Sequence, residues 1–243
     1  MEQFKRSPSL VALMLLGMAS AAAEAAPVAT GPALSGDGDG INTFWVRASE
    51  PPHSVANAVA VLASVGESVS FVAPYIDYRD FSAGTSGISE VTDLPDPLTH
   101  IENNTALDDA LFAVRYSGFL NVAVSGDYNF QLHTDDGFNF VLGGEQIAVF
   151  DGDRGPASSF VTLTLDAGLY SLEMIGWEQG GQFVDELSWL RPGDSAYAVI
   201  GTAAAGKALF TTAPATVPVP AALPLLGSAL GGLGLMRRRR ARA

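Results

Sequence analysis

Residues 115–189 carry a regular alternation of apolar and polar residues, and this pattern constrains the fold more than any other feature of the chain. Residues 128–133 and 138–142 both follow it. A period of two buries one face of a strand and leaves the other in water, so both segments are predicted strands. Asp135-Asp136-Gly137 lies between them and predicts a turn, because Asp and Gly tolerate the backbone conformations of tight turns.

Further segments of the same kind make the chain rich in predicted strands. They cover residues 41–49, 68–78, 114–124, 146–150, 160–165, 170–177 and 185–190. Many short strands separated by turn signals favour an all-β fold, an antiparallel β-sandwich. Residues 82–104 are rich in Gly, Ser, Asp and Pro and predict a long loop.

One short helix is predicted over residues 55–65. Ser54 is placed to cap its first turn, and Gly66 would end it. The apolar residues at helical spacing predict the face that packs on the core. They are Val55, Val59 and Leu62.

Asp135 and Asp136 are the candidate metal ligands. Two adjacent carboxylates repel each other unless a cation lies between them, and a hard cation such as Ca²⁺ prefers oxygen ligands. The chain contains no cysteine, which excludes disulfides, thiol catalysis and thiolate-bound zinc. The alternative for the pair is a solvated Asp-Gly hairpin turn without metal.

Several segments of the strand-rich region resemble, in order and spacing, the PA14 domain. They are residues 114–120, 126–130, 135–137, 143–144, 151–152 and 187–189. The resemblance covers about half of the chain and implies a β-sandwich of the kind found in secreted toxins, glycosidases and yeast adhesins. In the adhesins, a cis-linked Asp-Asp pair holds a calcium ion that coordinates sugar hydroxyls, which implies the same role for Asp135 and Asp136.

Five further residues are candidate ligand-binding residues. The resemblance implies a second loop, residues 177–183, that lacks the adhesins' Asn, so that Gln182 or Glu178 would replace it. Trp177 could stack on a sugar ring or could belong to the core. Asp151 and Asp153 could line the same end of the sandwich, or could lie in a polar loop with an internal Asp–Arg154 ion pair.

The N-terminal segment, residues 1–26, has the three parts of a secretory signal peptide. Lys5 and Arg6 give the charged start, an apolar stretch follows, and small residues near position 23 fit a cleavage site. An amphipathic core helix is the alternative. Residues 27–40 and 193–216 are low in sequence complexity and are predicted linkers, which leaves 41–192 as the sandwich domain.

The C-terminal segment, residues 217–243, consists of a Pro-rich motif, an apolar Gly-rich run and an arginine cluster. The motif and the cluster are Val217, Pro218, Val219, Pro220 and Ala221, then Arg237, Arg238, Arg239 and Arg240. This tail resembles the PEP-CTERM family of bacterial sorting signals, in the Val-Pro-Leu-Pro-Ala variant. The resemblance implies a helix held transiently in the inner membrane, with cytoplasmic arginines. It also implies cleavage by an exosortase-type enzyme in a Gram-negative bacterium that makes extracellular polysaccharide. A permanent single-span anchor is the alternative.

Charge and motif content argue against two classes of function, nucleic-acid binding and catalysis. The formal net charge of −13 opposes nucleic-acid binding. His53, His100 and His133 lack the spacing of a zinc site, and the sequence contains no Gly-x-Ser-x-Gly motif. Glu173 and Glu178 lie close together in the sequence, which is more typical of surface charge than of a glycosidase pair. An enzyme is therefore not predicted.

The sequence predicts an exported cell-surface or matrix protein, with an adhesin-like module that binds an extracellular glycan or polysaccharide with the help of Ca²⁺. The alternative is a structural or protein-interaction module of the biofilm matrix without a sugar site.

Overall fold

The structure is a computed structural model that describes residues 26–79, 111–181 and 183–213. The predicted sorting signal, the predicted loop over 82–104, residue Gln182 and all but the last residue of the predicted signal peptide lie outside the described residues. No helix within the described ranges is long and apolar enough to span a membrane.

Two antiparallel sheets and one short helix make up the described chain. The elements are β1 Ile41–Arg47, α1 Val55–Leu62, β2 Ser68–Ala73, β3 Asp77–Arg79, β4 Phe112–Val122, β5 Gly126–Asp135, β6 Phe138–Leu142, β7 Glu145–Phe150, β8 Ala157–Leu165, β9 Gly168–Glu178, β10 Val184–Leu190, β11 Ala198–Val199 and β12 Leu209–Phe210. The first sheet has the order β2-β1-β4-β9-β6-β7, with β12 paired to β4. The second has the order β11-β10-β5-β8, with β3 paired to β10. The predicted antiparallel β-sandwich is confirmed.

The apolar residues of the period-two pattern pack against each other between the two sheets. Tyr128, Phe130 and Leu132 alternate along β5 and are all buried, and the inward residues of β6 meet them from the other sheet. The rings of Phe130 and Phe140 lie 5.7 Å apart. Each large apolar side chain buried in this way contributes about 1.5–3 kcal/mol to folding.

The helix is shorter than predicted, and its buried face differs. Ser54 caps it as expected, accepting a hydrogen bond from the N–H of Asn57 at 3.2 Å. The helix ends at Leu62, before Gly66. Ala58 and Leu62 are its buried residues, whereas Val59 is 41% exposed, so the predicted core position of Val59 is wrong. Alanine allows the close approach to the sheet that the larger valine would prevent.

The predicted strand over residues 68–78 is divided in two. Its first part, β2, pairs with β1 in the first sheet, and its last part, β3, pairs with β10 in the second. Pro74 follows β2 directly, and a proline cannot donate a hydrogen bond to a strand ladder. The chain therefore leaves one sheet there and enters the other.

The two predicted linkers are part of the packed domain wherever the structure describes them. Thr30 donates its backbone N–H to the carbonyl of Leu169 at 2.7 Å, and Asn121 exchanges hydrogen bonds with the backbone of Leu34. Ile200 and Leu209 are fully or almost fully buried. The linker prediction is therefore wrong for residues 27–40 and 193–213, because small apolar residues at low sequence complexity still fill gaps in a core.

Asp39 links the N-terminal segment of the described chain to its C-terminal segment through hydrogen bonds. Its carboxylate accepts hydrogen bonds from the backbone N–H and the hydroxyl of Thr211 at 2.7 and 2.6 Å, and these bonds lower the pKa of Asp39. We expect Asp39→Ala to reduce the free energy of unfolding by about 1 kcal/mol, because two hydrogen bonds to a charged acceptor are lost. Urea denaturation measures this change.

Asp37→Ala is the matched control for that measurement. Asp37 lies on the same segment and pairs with Lys207 at 3.0 Å, but its side chain is 70% exposed. Surface pairs of this kind contribute little, so the control is expected to stay within about 0.5 kcal/mol of the wild type. Equal effects of the two substitutions would contradict the specific role of Asp39.

Candidate metal centre

The turn at Asp135-Asp136-Gly137 connects the two sheets. Asp135 ends β5 in the second sheet, and Phe138 begins β6 in the first, so the turn is not a hairpin between paired strands. The peptide bond between Asp135 and Asp136 is cis. The backbone N–H of Asp136 donates to the carbonyl of Trp177 at 3.0 Å, which fixes the turn against the end of β9.

Gly137 allows this turn to lie directly on the Trp177 ring. A Cβ atom at position 137 would overlap the Trp177 ring and come within 2.5 Å of the Phe150 carbonyl oxygen. Only a residue without a side chain fits this place. Position 137 therefore requires glycine for close packing against Trp177 as well as for the turn.

Three carboxylates converge beside the turn. Asp135, Asp136 and Glu178 each offer one oxygen atom, and these three atoms lie within 4.8 Å of one another. The residues are 6%, 2% and 0% exposed. Asp135 and Asp136 were predicted as metal ligands, and Glu178 as a ligand-binding residue; the structure places all three together.

Backbone N–H groups fix two of these carboxylates. Asp136 accepts hydrogen bonds from the N–H of Arg154 at 3.1 Å and of Gln179 at 2.8 Å. Glu178 Oε1 accepts one from the N–H of Gly180 at 2.6 Å, whereas its Oε2 is buried and has no hydrogen-bond partner among the described residues. Glu178 therefore has one buried acceptor without a hydrogen-bond partner among the described residues.

Burial raises the pKa of every carboxyl in the group, and repulsion within the group adds to the shift at Asp135 and Glu178. Burial raises the pKa of Asp135 to about 7, and the charge of Asp136 adds to the shift. Burial also raises the pKa of Glu178 to about 9, again with a contribution from Asp136. The pKa of Asp136 rises for the same first reason, although its two backbone donors oppose the rise. Such shifts mark a site that favours a cation or protons.

Arg154 is a half-buried cation next to this group. Its guanidinium lies over the Phe150 ring, 4.5 Å from the ring centroid, and it donates to the hydroxyls of Thr134 at 2.7 Å and Ser159 at 3.0 Å. Burial lowers the pKa of Arg154, while the nearby charge of Asp135 raises it. Arg154 was predicted only as a partner of Asp151 or Asp153, and its position at the site was not predicted.

The other predicted ligand residues differ from one another in their partners and in their exposure. Trp177 is fully buried and packs against α1, so its ring is not open to stack on a sugar. The prediction of Trp177 as a ligand-binding residue is therefore wrong, and the residue belongs to the core. Asp151 accepts the backbone N–H of Val55 at 2.7 Å, at the start of α1. Asp153 pairs with His53 at 2.8 Å instead of forming the considered ion pair with Arg154. Gln182 lies outside the described residues.

Asp185 is a buried acid that was not among the predicted site residues. It is 1% exposed, its Oδ2 accepts the hydroxyl of Tyr116 at 3.0 Å, and its Oδ1 has no partner among the described residues. Burial raises its pKa well above the usual range. The signal was present in the sequence: Asp185 shares its strand face with Leu187 and Trp189, which alternation directs inward.

An open cleft of about 370 Å³ lies over the acid pair. Its lining consists of Asp135, Asp136, Asp153, Arg154, Gly155, Pro156, Gln179 and Gly180. This volume is within the range of small-molecule sites, and the lining is rich in polar groups. The arrangement offers hard oxygen ligands for a metal ion at the base of a cleft that a polar molecule can enter.

Comparison with known proteins identifies the architecture. No protein-family model and no curated protein matches the chain. Among solved structures, the PA14 domain of the MpAFP antifreeze protein matches with a TM-score of 0.54 and 21% identity, over 76% of this chain and 96% of that one. The PA14 sugar-binding domain from an RTX adhesin matches with a TM-score of 0.53 and 20% identity, over 72% and 99%.

A eukaryotic adhesin has the same architecture. The A domain of epithelial adhesin 6 from Candida glabrata, in complex with Galβ1-3GlcNAc, matches with a TM-score of 0.55 and 14% identity, over 79% of this chain and 95% of that one. The three alignments cover 95–99% of these domains and 72–79% of this chain. The chain has the fold of a PA14 domain.

Proposed function

We propose that this domain binds an extracellular carbohydrate in the cleft over Asp135 and Asp136, and that a Ca²⁺ ion held by this acid pair assists the binding. The observation that carries the proposal is the pair of adjacent carboxylates, buried at the base of an open polar cleft. Among the matched structures, a sugar-binding domain and an adhesin in complex with a disaccharide support it.

The residues present fit a calcium ion. Ca²⁺ takes oxygen ligands at about 2.3–2.6 Å and prefers carboxylates and carbonyls. The pair supplies carboxylates whose burial without a cation is costly, as the raised pKa values of Asp135 and Asp136 indicate. The donor set contains no soft ligand, which is the chemistry that a hard cation requires.

Each residue of the site has a defined part in this function. When bound, Ca²⁺ would supply a positive centre that sugar hydroxyl oxygens can approach. The backbone N–H groups of Arg154 and Gln179 hold the Asp136 carboxylate in one orientation. Asp153 and the backbone around Gly180 line the cleft and offer hydrogen-bonding groups to a polyhydroxylated ligand.

The location of the protein is the second part of the proposal. We infer that residues 1–26 direct export, and that residues 217–243 retain the chain briefly in the inner membrane until an exosortase-type enzyme cleaves it. The product would be a cell-surface or matrix protein of a Gram-negative bacterium. The solved domains of the same fold include adhesin domains, which supports a surface role.

Glycan binding by the purified full chain tests the proposed function. We expect specific spots on a glycan array in the presence of Ca²⁺, and at least about a tenfold loss of signal with EDTA or in Asp135→Asn/Asp136→Asn, because metal ligands are lost. Asp151→Asn, in the same end of the domain, is the matched control and is expected to bind normally.

Two outcomes would contradict parts of this proposal. Equal glycan binding with and without EDTA would remove the role of Ca²⁺. No binding to any glycan, by a chain that is folded and loaded with Ca²⁺, would favour a structural or protein-interaction module.

A further inference from the structure

We propose that strand β8 pairs with β8 of a second copy of this chain, so that two domains form an antiparallel dimer through one continuous sheet. The partner is the same chain, and the contact is made by the backbone of the strand. The inference requires neither a glycan nor a metal ion.

Strand β8 is an open sheet edge. It has nine residues, Ala157–Leu165, and among the described strands it pairs with β5 alone. Its other side therefore presents a row of backbone N–H and C=O groups, which is a template for pairing with another strand. The inward residues Val161 and Leu163 are only partly buried, whereas Phe130 and Tyr128, which lie opposite them on β5, are buried. This difference shows that the edge is uncovered.

The other described edge strands are shorter or interrupted. Strands β3, β11 and β12 have two or three residues each, and β2 has six. Strand β7 contains Glu145, and its pairing with β6 shifts register within the strand. Short length, charge and bulges are the features by which native proteins prevent edge pairing. Strand β8 has none of them, because it is long and contains no charged residue and no proline.

Charge selects a second copy of this chain as the partner. The chain has a formal net charge of −13, so two copies repel each other over most of their surface. The nine uncharged residues of β8 form a place where two copies can meet without opposing like charges. Its outward side chains are also free of charge, and they are Ser158, Phe160, Thr162 and Thr164.

The sequence of β8 is compatible with antiparallel pairing to itself. A register centred on Val161, the middle residue, pairs all nine positions of the strand. Phe160 then lies opposite Thr162 of the other copy, and Ser158 lies opposite Thr164. Aromatic residues opposite β-branched residues, and hydroxyl residues opposite each other, are favourable cross-strand pairs.

Phe160 marks the centre of the proposed interface. It is 60% exposed, and its ring packs on one side against the Tyr197 ring, with 5.9 Å between the centroids. The other large apolar residues that are exposed in the described chain are all valines. In the dimer, Phe160 of each copy lies next to the two-fold axis, where the neighbouring strand covers part of its exposed surface.

The dimer would have two clefts that face different ends of the assembly. Gly155 and Pro156 line the cleft over the acid pair and directly precede β8. Antiparallel pairing places these two strand ends about 25–30 Å apart, since a strand rises about 3.4 Å per residue. Such a dimer can hold two glycan chains, which increases its retention on a polysaccharide with many binding sites. This consequence, unlike the dimer itself, rests on the proposed function.

Sedimentation equilibrium of the full chain tests the dimer, and two exposed positions test its register. We expect Phe160→Lys/Thr162→Lys to weaken dimerisation by at least about tenfold, because each new lysine lies opposite another across the interface. Phe160→Lys/Thr162→Glu is the matched control. It loses the same aromatic ring, but in the proposed register each lysine lies opposite a glutamate, and dimerisation is expected to return to within about threefold of the wild type.

A disulfide cross-link is the second measurement. The chain contains no cysteine, so a single introduced cysteine can pair only with its own copy in another chain. In the proposed register Val161 lies opposite Val161 of the second copy, with Cα atoms about 4.5–5.5 Å apart, which is within the range of a disulfide. We expect Val161→Cys to form a cross-linked dimer under mild oxidation. Val72→Cys, at a 51% exposed position of edge strand β2, is the matched control and is expected to remain uncrosslinked.

The outcomes separate the inference from the proposed function. A wild-type chain that is monomeric at all concentrations, or a dimer that Phe160→Lys/Thr162→Lys retains, would overturn the inference. A cross-link through Val72→Cys and not through Val161→Cys would place the contact at β2 and would also overturn it. The cross-link is made without the lysine substitutions, so it decides the question if these prevent folding. Glycan binding by a monomeric chain would leave the proposed function standing.

Discussion

In the presence of EDTA, the folded chain is expected to lose stability as the pH rises from about 5 to about 9. The reason lies in three acids whose pKa values burial raises. The pKa of Asp135 rises from 3.8 to about 7, that of Glu178 from 4.5 to about 9, and that of Asp185 well above its ordinary value. Each of these carboxyls therefore holds its proton more tightly in the folded chain than in the unfolded chain.

The direction of the effect follows from proton linkage. Below about pH 4 both states are protonated, and the three groups stabilise the folded state fully. Above that pH the unfolded chain ionises freely, whereas the folded chain must either retain its protons or ionise buried groups. The free energy of unfolding then falls by about 1.4 kcal/mol per pH unit for each group that is protonated only in the folded state. The loss continues up to the folded pKa, about 7 for Asp135 and about 9 for Glu178.

Thermal unfolding in EDTA across this pH range measures the effect. We expect the melting temperature to fall by at least about 5 °C, since about 1 kcal/mol corresponds to about 2–4 °C in a domain of this size. Added Ca²⁺ should reverse the fall, and its stabilising effect should grow with pH, because the ion compensates ionised carboxylates. Asp135→Asn/Glu178→Gln removes two of the titrating groups and should flatten the profile. A melting temperature in EDTA that is constant or rises toward about pH 9 would contradict the prediction.

The sandwich itself could be predicted from the sequence because its strands follow simple local rules. Alternation along residues 128–133 and 138–142 places Phe130 and Phe140 on inward faces whatever their strand partners are. The acid pair, the glycine after it and the cap at Ser54 are local signals of the same kind. Such features depend on a few neighbouring residues, so a reading of the chain identifies them.

The remaining features depend on contacts between segments that are distant in sequence. The partner of Asp153 is His53, one hundred positions away, and not the adjacent Arg154. Trp177 looks like a strand-end aromatic open to solvent, yet α1 covers it. The predicted linkers fail for the same reason, since only the packed neighbours of Leu209 show that it is core. These contacts depend on tertiary packing, which cannot be inferred from local sequence patterns.

Gly176→Ala is expected to destabilise the domain by about 3 kcal/mol, the upper part of the range for overpacking a core. Gly176 on β9 faces Asp185 on β10 across the space between the sheets, and a Cβ atom at position 176 would overlap the Asp185 carboxylate. Asp185 cannot withdraw easily, because it is fully buried and accepts the Tyr116 hydroxyl. Urea denaturation of Gly176→Ala measures the loss. Gly31→Ala is the matched control, since its added Cβ meets no atom within 4 Å, and it is expected to change stability by less than about 0.5 kcal/mol.

A double-mutant cycle with Asp185→Ala separates this clash from an effect of the Gly176 backbone. If the carboxylate is the obstacle, Gly176→Ala should cost much less in the Asp185→Ala background, and the two substitutions should be non-additive by about 1 kcal/mol or more. Strict additivity would show that the β9 backbone requires glycine for another reason. Because Gly176 pairs with Phe138, the first residue after the Asp135-Asp136-Gly137 turn, the same clash would reach the candidate metal centre. Gly176→Ala should therefore also weaken the proposed Ca²⁺ binding, while the control at Gly31 should not.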